Sequence, residues 1–145
     1  TAAVEACQAA LQLDPTVPQV WRDLGRLEER RENWVGARLA YREALDLLPT
    51  YVEAALALGD LIRRTESATA AVDFVVEILF VDPWDLDALL LLARALLDEG
   101  RAERALEALD RVLRFDPNND AGLFHQGGAL ARVRRYEEAL RAWEL

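Results

Sequence analysis

A chain of 145 residues, 52% of them apolar, has enough material for a continuous core and too much apolar character for a disordered segment. Its net charge of −9 repels phosphate backbones and anionic bilayers, so neither nucleic acid nor a membrane surface is an expected partner. One cysteine, Cys7, and one histidine, His125, cannot form a disulfide within the chain or supply a four-ligand zinc site.

Taken in chain order, the elements are marked out by proline. Residues 2–13 form an apolar-periodic stretch that ends in LQLDP at Pro15, and the next such ending, LDLLP, falls at Pro49. LFVDP at Pro83 and LRFDP at Pro117 continue the series in steps of 34 residues. Proline cannot continue a helix and pushes the residue before it out of the α region, so each marks a helix end at a fixed phase. Between prolines lie two stretches with apolar residues at i, i+3, i+4 and i+7, separated by polar breaks at residues 31–33, 65–67, 99–101 and 133–135. The spacing predicts helices at 2–13, 18–31, 34–47, 52–64, 68–81, 86–98, 102–115, 120–133 and 136–145. One segment, VDFVVEILFV at residues 72–81, is locally rich in strand-favouring residues, but the repeat phase makes it helical. Val75, Ile78 and Leu79 then face inward, while Val76, Phe80 and Trp84 are surplus to the core and mark an outward apolar patch.

A 34-residue helix pair with this internal pattern resembles the tetratricopeptide repeat. Residues 18–51 match its signature with Trp21, Leu24, Gly25, Ala37, Tyr41, Ala44 and Pro49, and depart from it at Glu28, where the family carries an aromatic residue. Residues 52–85 keep Leu58, Gly59, Ala71 and Pro83, and residues 86–119 keep Leu92, Ala93, Ala105 and Pro117. Residues 1–17 carry the tail of a preceding repeat and residues 120–145 a shortened fourth, with Gly127, Ala139 and Trp143 in phase. The resemblance implies an all-α fold, a right-handed superhelical solenoid of antiparallel helix pairs forming one array from 1 to 145. Its small slots let paired helices approach and its large slots fill the space between repeats, so these residues are packing positions rather than a site.

The residues point away from catalysis. Cys7 occupies a packing slot, where a buried inert thiol is expected, and lies far along the chain from His125. Gly127 and Gly128 fall inside a predicted helix without the Lys and Ser or Thr of a phosphate loop. Carboxylates such as Glu28 and Glu29 sit among arginines, the pattern of a solvated helix surface. No enzyme activity, metal or cofactor is expected.

In the family, the first helix of each pair lines the concave face, which implies a groove that includes Arg22, Arg26, Leu56, Arg63, Leu90, Arg94, Phe124 and His125. Leu56, Leu90 and Phe124 share one slot in consecutive repeats and form an expected apolar stripe, with Leu91 and Leu97 also assigned to the lining and Leu92 to the core. Relatives that hold the acidic tail of heat-shock chaperones use a clamp of Lys, Asn and Arg. Here those places hold Arg22, Arg26, Ala57, Asp87 and Leu91, so only the opening basic pair is matched. The expected function is a protein-interaction scaffold that holds a peptide or helical segment with apolar anchors and acidic neighbours. The alternatives are a self-association module building a homo-oligomer, or a repeat domain attached to an enzyme. Absence of a membrane-length apolar run and of a signal peptide predicts a soluble, cytoplasmic chain, and the missing Met predicts a natural start upstream of Thr1.

Overall fold

The computed structural model describes residues 1–144, with the backbone alone for residues 139, 143 and 144. Eight α-helices account for nearly all of the described residues, which include no strand. They gather into two compact units, one from Thr1 to Thr65 and one from Glu66 onward.

The first unit holds α1 (Ala2–Leu13), α2 (Pro18–Arg30), α3 (Trp34–Leu47) and α4 (Val52–Thr65). Proline opens α2, where its missing N–H costs nothing. Asn33 caps α3 by accepting from the Gly36 N–H at 3.2 Å. The helices pack in sequence, α1 on α2, α2 on α3 and α3 on α4. Close approach of α2 to α3 depends on Gly25, where a Cβ would stand 2.5 Å from the buried ring of Tyr41. Ala37, Ala40 and Ala44 keep the facing side of α3 equally low. Val4, Leu11, Leu24 and Ala40 form a core cluster against which Cys7, Val20, Trp21 and Leu27 pack. Cys7 is therefore half-buried rather than enclosed.

The second unit holds α5 (Ala68–Val81), α6 (Leu86–Asp98), α7 (Ala102–Phe115) and α8 (Asp120–Glu144). Ser67 and Asp85 cap α5 and α6 through the N–H groups of Ala70 and Ala88. Gly100 takes the left-handed conformation, φ +79°, that turns α6 into α7. Leu89, Ala93, Leu96, Leu109 and Val112 form the centre of its core.

The four prolines act as the spacing predicts. Asp14, Leu48, Asp82 and Asp116, each just before a proline, leave the helix with φ between −131° and −147°. The break at residues 133–135 is the exception. Two helices are expected around it, whereas α8 runs unbroken from Asp120 to Glu144. The earlier turns contain Asn33, Ser67 or Gly100, each able to cap or reverse a helix. Val133, Arg134 and Arg135 offer neither a capping side chain nor a glycine, and arginine favours helix.

Glu28 shows why the aromatic slot can hold a carboxylate. It is buried, at 6% exposure, with Asn33 Nδ2 donating to Oε2 at 2.8 Å and Arg31 at 3.5 Å from Oε1. These partners offset the desolvation of the charge and tie the end of α2 to the turn.

Candidate functional site

In the first unit, α2 and α4 carry the predicted residues Arg22, Arg26, Leu56 and Arg63. Two ion pairs join these helices, Arg22 to Glu53 and Arg64 Nη2 to Glu29 Oε2 at 2.6 Å. Arg22 also bonds Asp23 at 2.8 Å, and its guanidinium lies 5.7 Å from the Tyr51 ring centroid. The hydrogen bond to Asp23 is the main reason that its pKa is pushed upward. Arg63 and Arg64 both hold Asp60, each at 2.9 Å. Glu29 accepts a second bond from the Tyr41 hydroxyl at 2.6 Å. The expected basic flank is thus largely neutralised from within. Arg26 is exposed and makes no ion pair among the described residues, and Leu56 is half-buried.

In the second unit, α6 and α8 carry Leu90, Arg94, Phe124 and His125. Phe124 is 77% exposed, and its ring meets His125 edge-on with centroids 5.4 Å apart. Arg94 is exposed and unpaired among the described residues, whereas Leu90 is half-buried. Two assignments to the lining are corrected, since Leu91 and Leu97 belong to the buried core. Leu92, assigned to the core, is only half-buried, and Leu89 is fully enclosed instead. Four leucines in succession, residues 89–92, blur the phase that would have separated these roles.

Sequence reasoning missed the charge ladder from α2 to α4. Its signal was present as opposite charges close to one repeat apart, Arg22 with Glu53 and Glu29 with Arg64. On the other side of the second unit, Val76, Phe80 and Trp84 are exposed as expected. Phe115 joins that patch with its ring centroid 5.3 Å from Trp84, and Arg111 stacks over Trp84 at 4.9 Å.

Among the described residues, no group of three His, Cys, Asp or Glu side chains could hold a metal ion. Burial, aided by Asp23, pushes the Cys7 thiol upward, away from the thiolate that nucleophilic chemistry needs. No helix among the described residues is long and apolar enough to cross a membrane.

Comparison with known proteins adds the following. Two tetratricopeptide repeat profiles match, one over residues 18–61 and one over residues 63–125. No curated protein matches the chain. Among solved structures, the first TPR of Spaghetti (RPAP3), bound to the HSP90 peptide SRMEEVD, superposes with a TM-score of 0.73 at 15% identity. That match covers 81% of this chain and 93% of the other. A tetratricopeptide repeat protein from Parabacteroides merdae superposes at 0.81 with 16% identity over 95% of this chain, which spans 55% of that protein. MamA superposes at 0.76 with 20% identity, covering 97% of this chain and 77% of that one. At such identities the likeness concerns the fold.

Proposed function

The chain belongs to the tetratricopeptide repeat family, and on that premise we propose that it is a protein-interaction scaffold whose first helices hold a peptide or helical segment of a partner. The observation that carries this reading is Phe124, a large aromatic side chain left 77% exposed on a first helix, one repeat on from the half-buried Leu90 in sequence. Exposed aromatics that the core does not use are the usual anchors of protein recognition. Arg94 on α6 and Arg26 on α2 are exposed and make no ion pair among the described residues, so each unit presents a cation to a ligand carboxylate. Arg22 and Arg63 serve instead to brace the face. Support for a polypeptide ligand comes from the Spaghetti repeat domain, which shares the fold and holds a peptide.

The ligand in this reading has apolar anchors with acidic neighbours, and no reaction is performed on it. A chaperone-type clamp is a poor description, because Ala57, Asp87 and Leu91 stand where it needs polar or basic groups and Leu91 is buried. The array is read as continuous from residue 1 to 145, in a cytoplasmic setting consistent with its single free thiol. Each buried anchor contributes roughly 1.5 to 3 kcal/mol before ordering costs, which places binding on the order of micromolar. Selection from a random peptide display library tests the reading. It predicts enriched sequences that combine aromatic or aliphatic residues with Asp or Glu and lose affinity partly with salt. Enrichment of basic peptides, or of none, would contradict it.

A further inference from the structure

The apolar patch at the ends of α5 and α7 is surplus to the core. Phe80, Phe115 and Trp84 are 89%, 62% and 49% exposed, and Val76 and Val81 extend the patch along α5. All five residues belong to the second unit. Trp84 packs against Phe115, and Arg111 lies over Trp84 while donating to the Pro83 carbonyl, so the rings at this end are held in place. Together the three rings expose about as much as two free aromatic side chains, roughly 300–500 Å². That is the size of a functional patch on a small domain, and it falls well short of the ~800 Å² per partner that a stable pair of folded chains buries.

Charge around the rings decides what fits. Both nearby cations are engaged by their own chain, Arg111 with Trp84 and Pro83 and Arg114 with Asp110 at 3.0 Å. The acids of α5 are not. At 100° per residue, Asp73, Glu77 and Phe80 fall within about 60° of the helix circumference. Neither acid makes an ion pair among the described residues, and both are exposed. Like charges one turn apart disfavour each other, a cost that an arriving cation removes. Asp82 and Asp116 add charge at the helix ends, where they accept from the Trp84 N–H at 3.1 Å and the Asn119 amide at 3.3 Å. Both helices also end at the patch, α5 at Val81 and α7 at Phe115. No basic residue in the last turn of α5 answers the partial negative charge of its final carbonyls. Farther back on α7, Glu103 and Glu107 outnumber Arg104.

We propose that this face docks a basic amphipathic helix of a partner protein, its apolar row across Phe80, Trp84 and Phe115 and its Lys or Arg beside Asp73 and Glu77. A helix fits because it satisfies its own backbone, whereas a surface built of helices offers an extended segment no strand edge to pair with. A second copy of the chain, seated patch to patch, sets the excess of carboxylate against itself. The reading of the groove calls for an acidic ligand, so the two faces select opposite charges and allow one chain to join two unlike partners.

The test uses a display library built on a stable three-helix bundle with one helix face randomised. Isolated helices shorter than about 12–15 residues are marginal in water, so short displayed peptides do not report on this face. Selection on the wild-type chain should enrich a class of binders that carry Lys or Arg around apolar positions. That class should lose at least tenfold in affinity on Phe80→Ser and on Glu77→Arg, keep its affinity on Phe124→Glu, and weaken as salt is raised. Phe80 and Glu77 are exposed, so both variants should keep wild-type helicity by circular dichroism. Phe80-dependent binders that are acidic or uncharged would overturn the proposal, as would the absence of any Phe80-dependent binder. Light scattering adds one further outcome, since a wild-type dimer that Phe80→Ser dissolves would give the patch to a second copy and overturn it equally.

Discussion

Tyr41 concentrates the physics of the first unit in one side chain. Its ring is fully buried against Gly25 and its hydroxyl donates to Glu29, which in turn pairs with Arg64. Burial first, and then the Glu29 carboxylate, push the phenol far above its ordinary pKa. The folded chain therefore keeps a proton that the unfolded chain gives up near pH 10. Stability from this group is complete below that pH and declines as pH rises above it, by about 1.4 kcal/mol per pH unit. Urea titrations at pH 8 and pH 11 should show the decline in the wild type and a much smaller one in Tyr41→Phe. An equal decline in both would assign it to other groups. The packing role of Tyr41 was legible from its repeat slot. Its bond to Glu29 was not, because a carboxylate in a run of charges reads as solvated surface. Glu28 was hidden for the same reason, since nothing in EERREN announces that one of its acids is buried.

Helix ends were the most legible elements because each proline acts through its own ring on the residue before it, without tertiary context. The course of α8 was less so. A repeat phase alone predicts a turn at residues 133–135, but a turn needs residues that stop a helix, and the local sequence has none. The same contrast separates two glycines at one repeat position. Gly25→Ala would place a Cβ 2.5 Å from a ring that is enclosed on all sides, so it should cost about 1–3 kcal/mol. Gly127→Ala meets nothing within 4 Å and adds helix propensity, so it should stabilise α8 by up to about 1 kcal/mol. Thermal melts of the two variants at dilute concentration check the pair. Destabilisation of similar size at both positions would mean that Gly127 is covered in solution by its own chain.

For the whole molecule, an array of helix pairs offers long exposed faces and little else, so its function depends on which apolar and charged groups the core leaves over. The phase of the repeats identified Phe124 as such a residue, and it is exposed. It failed to separate Leu90 from Leu91 and Leu92, because α6 is apolar on nearly every side. The pairing of Arg22 with Glu53 depends on two helices meeting, whereas that of Arg63 with Asp60 lies within α4 at i, i+3 spacing and was there to be read. The most direct test compares Phe124→Glu with Leu89→Glu, measuring binding to a selected acidic and apolar peptide together with melting on the same samples. The account predicts that Phe124→Glu loses at least tenfold in affinity while stability stays within about 0.5 kcal/mol of wild type. Leu89→Glu, which forces a charge into the core, should cost at least about 3 kcal/mol. Undiminished peptide binding by a folded Phe124→Glu variant would contradict the account.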